Sequence, residues 1–170
     1  MKRSARRVGL SLLGLLAFPF LVWGSWHLHN ILFENPRYAA QVFEQVLPGS
    51  TPLESKRWHG PGDNDWACTY AVVALPDDAL SMPPVPTQTS PHWQLSYGGD
   101  DWTATPMPPL GDMTRDALST CAPEWDADIR RRVDHAVTKA GSFVIVDGVG
   151  ETVFIYSKPQ GFAARVRYGD

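Results

Sequence analysis

The stretch 143-FVIVDGVGETVFIYSKPQGFAARVRY-168 decides the fold. Three runs rich in β-branched and aromatic residues, 143–147, 151–157 and 162–168, alternate with two turn signals. Asp147-Gly148-Val149-Gly150 joins the first pair. Lys158-Pro159-Gln160-Gly161 joins the second, with Pro at the favoured second position of a turn. Connections this short force neighbouring strands to run antiparallel, so the C-terminal third predicts a three-stranded meander. In the last run Phe162, Ala164 and Val166 point one way and Arg165 and Arg167 the other. That alternation predicts one face packed under a helix and one face partly wet.

The helix to cover the packed face lies directly upstream. Pro123 stands in its first turn, Glu124, Asp126 and Asp128 near the positive end of its dipole, Lys139 near the negative end, and Gly141 beyond it. Trp125, Ile129, Val133, Ala136, Val137 and Ala140 recur on one side. Arg130, Arg131 and Arg132 read as a solvated, salt-bridged face of this helix. A shorter helix precedes it, capped by Asp112 or Thr114 and running to Thr120.

Further upstream, 66-WACTYAVVAL-75 predicts a strand closed by Pro76. Its apolar run Ala71–Leu75 leaves no polar face and places it inside a sheet. Residues 76–109 hold eight of the 15 prolines, which restricts them to extended and turning backbone. Within them 92-HWQLSY-97 has the pattern of one short edge strand. Residues 49–65 read as loop. Asn35-Pro36 opens a short amphipathic helix carrying Ala39, Val42, Phe43, Val46 and Leu47, stopped by Pro48-Gly49; its apolar face predicts packing on the sheet.

At the N-terminus Lys2, Arg3, Arg6 and Arg7 precede 8–26, a run without an ionisable side chain. Such a segment is read as a membrane-directing leader. Its 19 residues make a helix of about 28 Å, close to the hydrocarbon thickness of a bilayer. Trp23 and Trp26 suit an interface, and the cleavage signal after Gly24 is poor. Residues 1–26 are therefore expected to be a signal anchor, with cleavage of a signal peptide and secretion as the alternative. A juxtamembrane region spans 27–48, and 49–170 forms a single extracytoplasmic domain with the proline-rich loop 76–109. The expected setting is a bacterial inner membrane with the domain in the periplasm. The expected fold is α+β, with a three- to five-stranded, mainly antiparallel sheet and two or three helices on one face.

The formal charge of −3 conceals an asymmetry: four of 15 Lys and Arg, and none of 18 acids, lie in the leader. The acidic remainder lacks the clustered basic residues that nucleic-acid binding requires. Cys68 and Cys121 are the only cysteines, an even count in a chain with an export leader, and predict one disulfide.

Chemistry-bearing residues are few. His59, Asp63 and Asp65, together with Asp100, are the candidates for acid–base or metal chemistry, although the ligand spacing of a calcium loop is incomplete. Ordinary turn formation explains the same Gly and Asp residues, and neither a metal nor another cofactor is expected. Trp58, Trp93 and Trp102 fall in or beside loops. There they would stack on sugars, anchor a protein or cover the core. Nucleophile-elbow, P-loop, H-E-x-x-H and paired C-x-x-C patterns are all missing. The leading expectation is a membrane-anchored, non-catalytic accessory or protein-interaction domain with an envelope partner. The alternatives are a small envelope hydrolase or metal-dependent enzyme, and a glycan-binding module using the loop tryptophans.

Overall fold

The computed structural model of the chain describes residues 17–25, 28, 37–57, 68–84, 101–107 and 111–169. It divides into two compact units, Met1–Glu34 and Asn35–Asp170. In the first unit residues 17–25 are helical, with Phe18, Phe20, Leu21, Val22 and Trp23 exposed. Among the described residues no helix is long and apolar enough to cross a membrane. The rest of the expected anchor, residues 1–16 and 26, lies outside the described residues.

The second unit is an α+β fold with a six-stranded antiparallel sheet. Its strands are β1 (Thr51–Lys56), β2 (Cys68–Ala74), β3 (Thr103–Ala104), β4 (Phe143–Val146), β5 (Thr152–Ser157) and β6 (Phe162–Tyr168), in the spatial order β1-β2-β6-β5-β4-β3. The C-terminal meander is present as expected. β2 pairs with β6 over its whole length and carries β1 on its other side, so it is an inner strand buried on both faces.

Six strands replace the expected three to five. The first addition, β1, lies in the stretch read as loop. Its sequence TPLESK is poor in strand formers, and it is tolerated because it is an edge: Pro52 sits there beside an irregularity between Pro52 and Glu54. The second, β3, has two residues and pairs only with Val144 and Phe143. It is held by Thr105, whose Oγ1 donates to Lys139 O at 2.6 Å and accepts from Ser142 N at 3.0 Å. The HWQLSY stretch lies outside the described residues.

The second correction concerns the helices, which cover both faces of the sheet. α1 (Arg37–Phe43) packs Ala39, Val42 and Phe43 against Ala71, Val73, Phe154, Tyr156 and Ala163. α2 (Asp112–Cys121), a 3₁₀ turn (Ala122–Glu124) and α3 (Ala127–Thr138) cover the opposite face. There Cys121, Trp125, Ile129 and Val133 pack on Tyr70, Val72, Ile155, Ala164 and Val166. The β6 alternation was therefore legible, but the face carrying Arg165 is dry. Arg165 is 6% exposed and donates from Nη1 to Tyr38 Oη of α1 at 2.6 Å. A partly wet face would have left about half of β5 open, whereas all six of its residues are buried.

Local details differ for identifiable reasons. α2 has Gly111 at its N-cap and no side-chain cap; Asp112 instead pairs with Arg115 at 2.8 Å, and Thr114 is buried. Pro123 belongs to the 3₁₀ turn, because extended backbone at Trp125 separates it from α3. Asp126 caps α3 by accepting from Asp128 N at 2.7 Å. Of the three consecutive arginines Arg131 fits the solvated, salt-bridged reading, paired with Asp128 at 2.8 Å, and the less exposed Arg132 reaches the same carboxylate at 3.7 Å. Arg130 donates to Ala122 O, tying α3 to the preceding turn. Arg132 donates to Gln160 O and Gly161 O, clasping the β5–β6 turn.

Candidate functional site

The residues singled out in the sequence fall unequally. His59, Asp63, Asp65, Asp100, Trp58 and Trp93 lie outside the described residues. Trp102 is described and half-buried. It packs edge-on against Tyr156, with ring centroids 6.5 Å apart, and its Nε1 donates to Pro84 O at 2.8 Å. In this position it seals the α1 side of the core. Cys68 and Cys121 form the expected disulfide, which ties the start of β2 to the last residue of α2. Among the described residues no group of His, Cys, Asp and Glu is arranged to hold a metal ion.

A concavity with a defined lining lies on the outer side of the helix pair, between α2 and α3. It is a cleft of about 560 Å³, within the usual size range of ligand sites. Its floor is apolar: Leu118 and Ala122 from the first helix and turn, then Trp125, Val133 and Val137. Cations dominate its rim, with Arg115 on one side and Arg130 and Arg131 on the other, against a single lining carboxylate, Asp134. Sequence dictates this composition. α3 turns Ile129 and Val133 towards the sheet, where Trp125 just before it is also buried, while Val137 lies at the margin of that stripe and only partly inside the core. The extended residue at Trp125 breaks the helical path between α2 and α3, and the outer edges of both stripes, Leu118 and Val137 among them, line the cleft.

The disulfide and Arg130 fix the geometry of the cleft. Cys121 anchors the end of α2, and Arg130 holds the intervening turn from the α3 side. Lys56 of β1 adds an ion pair to Glu124 at 2.9 Å, and Glu54 accepts from Asp126 N at 3.3 Å. The turn between the helices is thus held from three directions, so the cleft is preformed.

No family model, curated protein or solved structure matches this chain. Its reading rests on its own geometry.

The other chemically unusual region is on the α1 side. Burial pushes the Arg165 guanidinium below its ordinary pKa range, with Arg167 and Arg57 lowering it further and Tyr38 and Asp147 opposing them. Tyr156, on the same face, is pushed up by burial, and its hydroxyl donates to Leu80 O at 2.5 Å.

The cleft is not evident from the sequence, because its floor residues Trp125, Val133 and Val137 share the apolar stripe that packs on the sheet and its rim residues Arg130 and Arg131 have the pattern of a solvated helix face. The available signal was Arg115 and Leu118 at i, i+3 on α2, opposite Val137 and Asp134 on α3. That signal means nothing until the crossing of the two helices is known. Arg165 was misjudged for a similar reason: strand alternation assigns a face and says nothing about what covers it.

Proposed function

We propose that this chain is a membrane-anchored, extracytoplasmic accessory domain that binds an acidic, amphipathic segment of a partner protein in the cleft between α2 and α3. One observation carries the reading: an open, preformed groove with an apolar floor and a cationic rim. An amphipathic helix laid in such a groove buries its apolar i, i+3, i+4 positions on the floor. Its flanking carboxylates then meet Arg115 and Arg131, whose side chains are 60% and 76% exposed, in exchange for the exposed ion pairs that these make with Asp112 and Asp128. The anchor and the envelope location rest on the leader sequence, and the disulfide suits an oxidising compartment.

The test is selection from a displayed random 14-residue peptide library on the purified full chain, with the double variant Arg115→Glu/Arg131→Glu in parallel. Selected peptides are expected to share apolar residues at helical spacing flanked by Asp or Glu. The variant should weaken them roughly tenfold or more, because like charges facing each other cost several kcal/mol. Enrichment indifferent to the double variant, or displacement of every selected peptide by dodecanoate with no convergent sequence, overturns the protein-segment reading.

A further inference from the structure

We infer that Asp134 sets the direction in which the partner's segment lies in the cleft, by pairing with a lysine or arginine one helical turn from the acidic residue that meets Arg131. That role rests on the peptide-binding reading of the cleft and narrows the segments it accepts. The rim has one odd charge: Arg115, Arg130 and Arg131 are cations, and Asp134 is an acid set among them.

Asp134 is exposed in the second half of α3. Among the described residues its carboxylate takes part in no ion pair and no hydrogen bond; the one side chain that reaches this residue, Thr138, donates from Oγ1 to its backbone carbonyl at 2.7 Å. Two cations stand at i−4 and i−3 on the same helix, the spacing at which side chains meet, and both are turned elsewhere. Arg130 donates from Nε to Ala122 O at 2.9 Å and from Nη2 to Trp125 O at 3.5 Å, while Arg131 pairs with Asp128 at 2.8 Å. Helical side chains lean towards the N-terminus, which carries Arg131 back to Asp128. The Asp134 carboxylate therefore lines the open cleft with its capacity as an acceptor unspent.

That charge rejects one kind of segment and selects another. A segment whose flanks are acidic throughout sets a like charge against Asp134, which is unfavourable across an interface. A basic residue at that point turns the repulsion into a pair. Three residues of α3 separate Arg131 from Asp134, a rise of about 4.5 Å, close to one helical turn of about 5.4 Å. A helix lying alongside matches them with an acid and a base three or four residues apart, which share one of its faces. An acid N-terminal to a base is also the order that stabilises a helix by itself. Because Arg131 precedes Asp134, that order lays the segment parallel to α3.

The experiment repeats the 14-residue library selection on the full chain and on Asp134→Lys, then measures the affinity of one selected peptide and of its Lys→Glu or Arg→Glu version. Peptides selected on the parent chain are expected to carry Lys or Arg three or four positions after Asp or Glu. Asp134→Lys alters an exposed position outside the core, and should select an acid where the parent selects the base. The charge-reversed peptide should bind the parent several-fold more weakly and recover by a similar factor on Asp134→Lys. A merely structural change in α3 would not produce that compensation. Convergent peptides that are lost with Arg115→Glu/Arg131→Glu, yet carry no basic position or are indifferent to Asp134→Lys, overturn the role of Asp134 and leave the groove standing. A base selected before the acid overturns the parallel placement. Absence of any convergent sequence overturns the groove and this role with it.

Discussion

The two faces of the sheet solve the same packing problem with different chemistry. The α2/α3 face is sealed by a continuous apolar cluster and stapled by a disulfide, and its open surface is displaced outward into the cleft. The α1 face is covered by a seven-residue helix, too short to bury everything beneath it with apolar side chains. It is completed by polar contacts: Tyr38 to Arg165, Trp102 to Pro84, and Tyr156 to Leu80. The difference teaches where specificity can reside. A face sealed by hydrophobic burial tolerates an empty groove on its outer side, whereas a face that buries a guanidinium depends on each hydrogen bond being made.

The largest expected effect breaks the comparison at its stapled side. Replacing both cysteines, Cys68→Ala/Cys121→Ala, removes a cross-link that closes a loop of sequence separation 53. The chain-entropy relation puts the loss for such a loop at about 4 kcal/mol, to be read in urea denaturation monitored by tryptophan fluorescence. Because Cys121 also anchors the end of α2, the double variant should lose peptide binding in the cleft before it loses the far side of the sheet.

A smaller effect sharpens the comparison from the α1 side. Tyr156 is kept protonated by burial, so its folded pKa lies above the unfolded value of 10.0. Between those two values the folded state holds a proton that the unfolded state has released. Its contribution is fully present below pH 10 and is lost as pH rises through the folded pKa. Tyr156→Phe should cost about 1 kcal/mol at neutral pH through the lost bond to Leu80 O. It should also flatten the alkaline decline of stability above pH 10, as measured by chemical denaturation across pH 8–11. An unchanged alkaline slope would place the titrating group elsewhere.

Much of this architecture was legible because β4, β5 and β6 are written in short-range terms: β-branched and aromatic runs, two turn signals and, in β6, alternation. The disulfide was legible from cysteine parity together with the leader-like pattern of residues 1–26. What escaped was non-local. β1 is a strand only because β2 offers it an edge, and TPLESK carries no intrinsic pattern. The covered second face depends on α1 folding back over 163–165, more than a hundred residues away in sequence. The cleft arises from the crossing of two helices whose individual faces look ordinary. The histidine and aspartate candidates, by contrast, fall outside the described residues, and the strand alternation that turns Arg165 away from α3 carries no sign that α1 covers it.

The central claim is that the protein partner binds on the outer side of the helix pair, in the cleft between α2 and α3. Its most direct test places a photo-crosslinking amino acid at Val137 in the cleft, or at the exposed Glu44 just beyond α1, in cells of the source organism. The account predicts a discrete protein adduct from position 137 that is lost with Arg115→Glu/Arg131→Glu. That adduct should map to an acidic amphipathic segment and be absent from position 44. Equal adducts from both positions, or a position-137 adduct that survives the charge reversal, would contradict it.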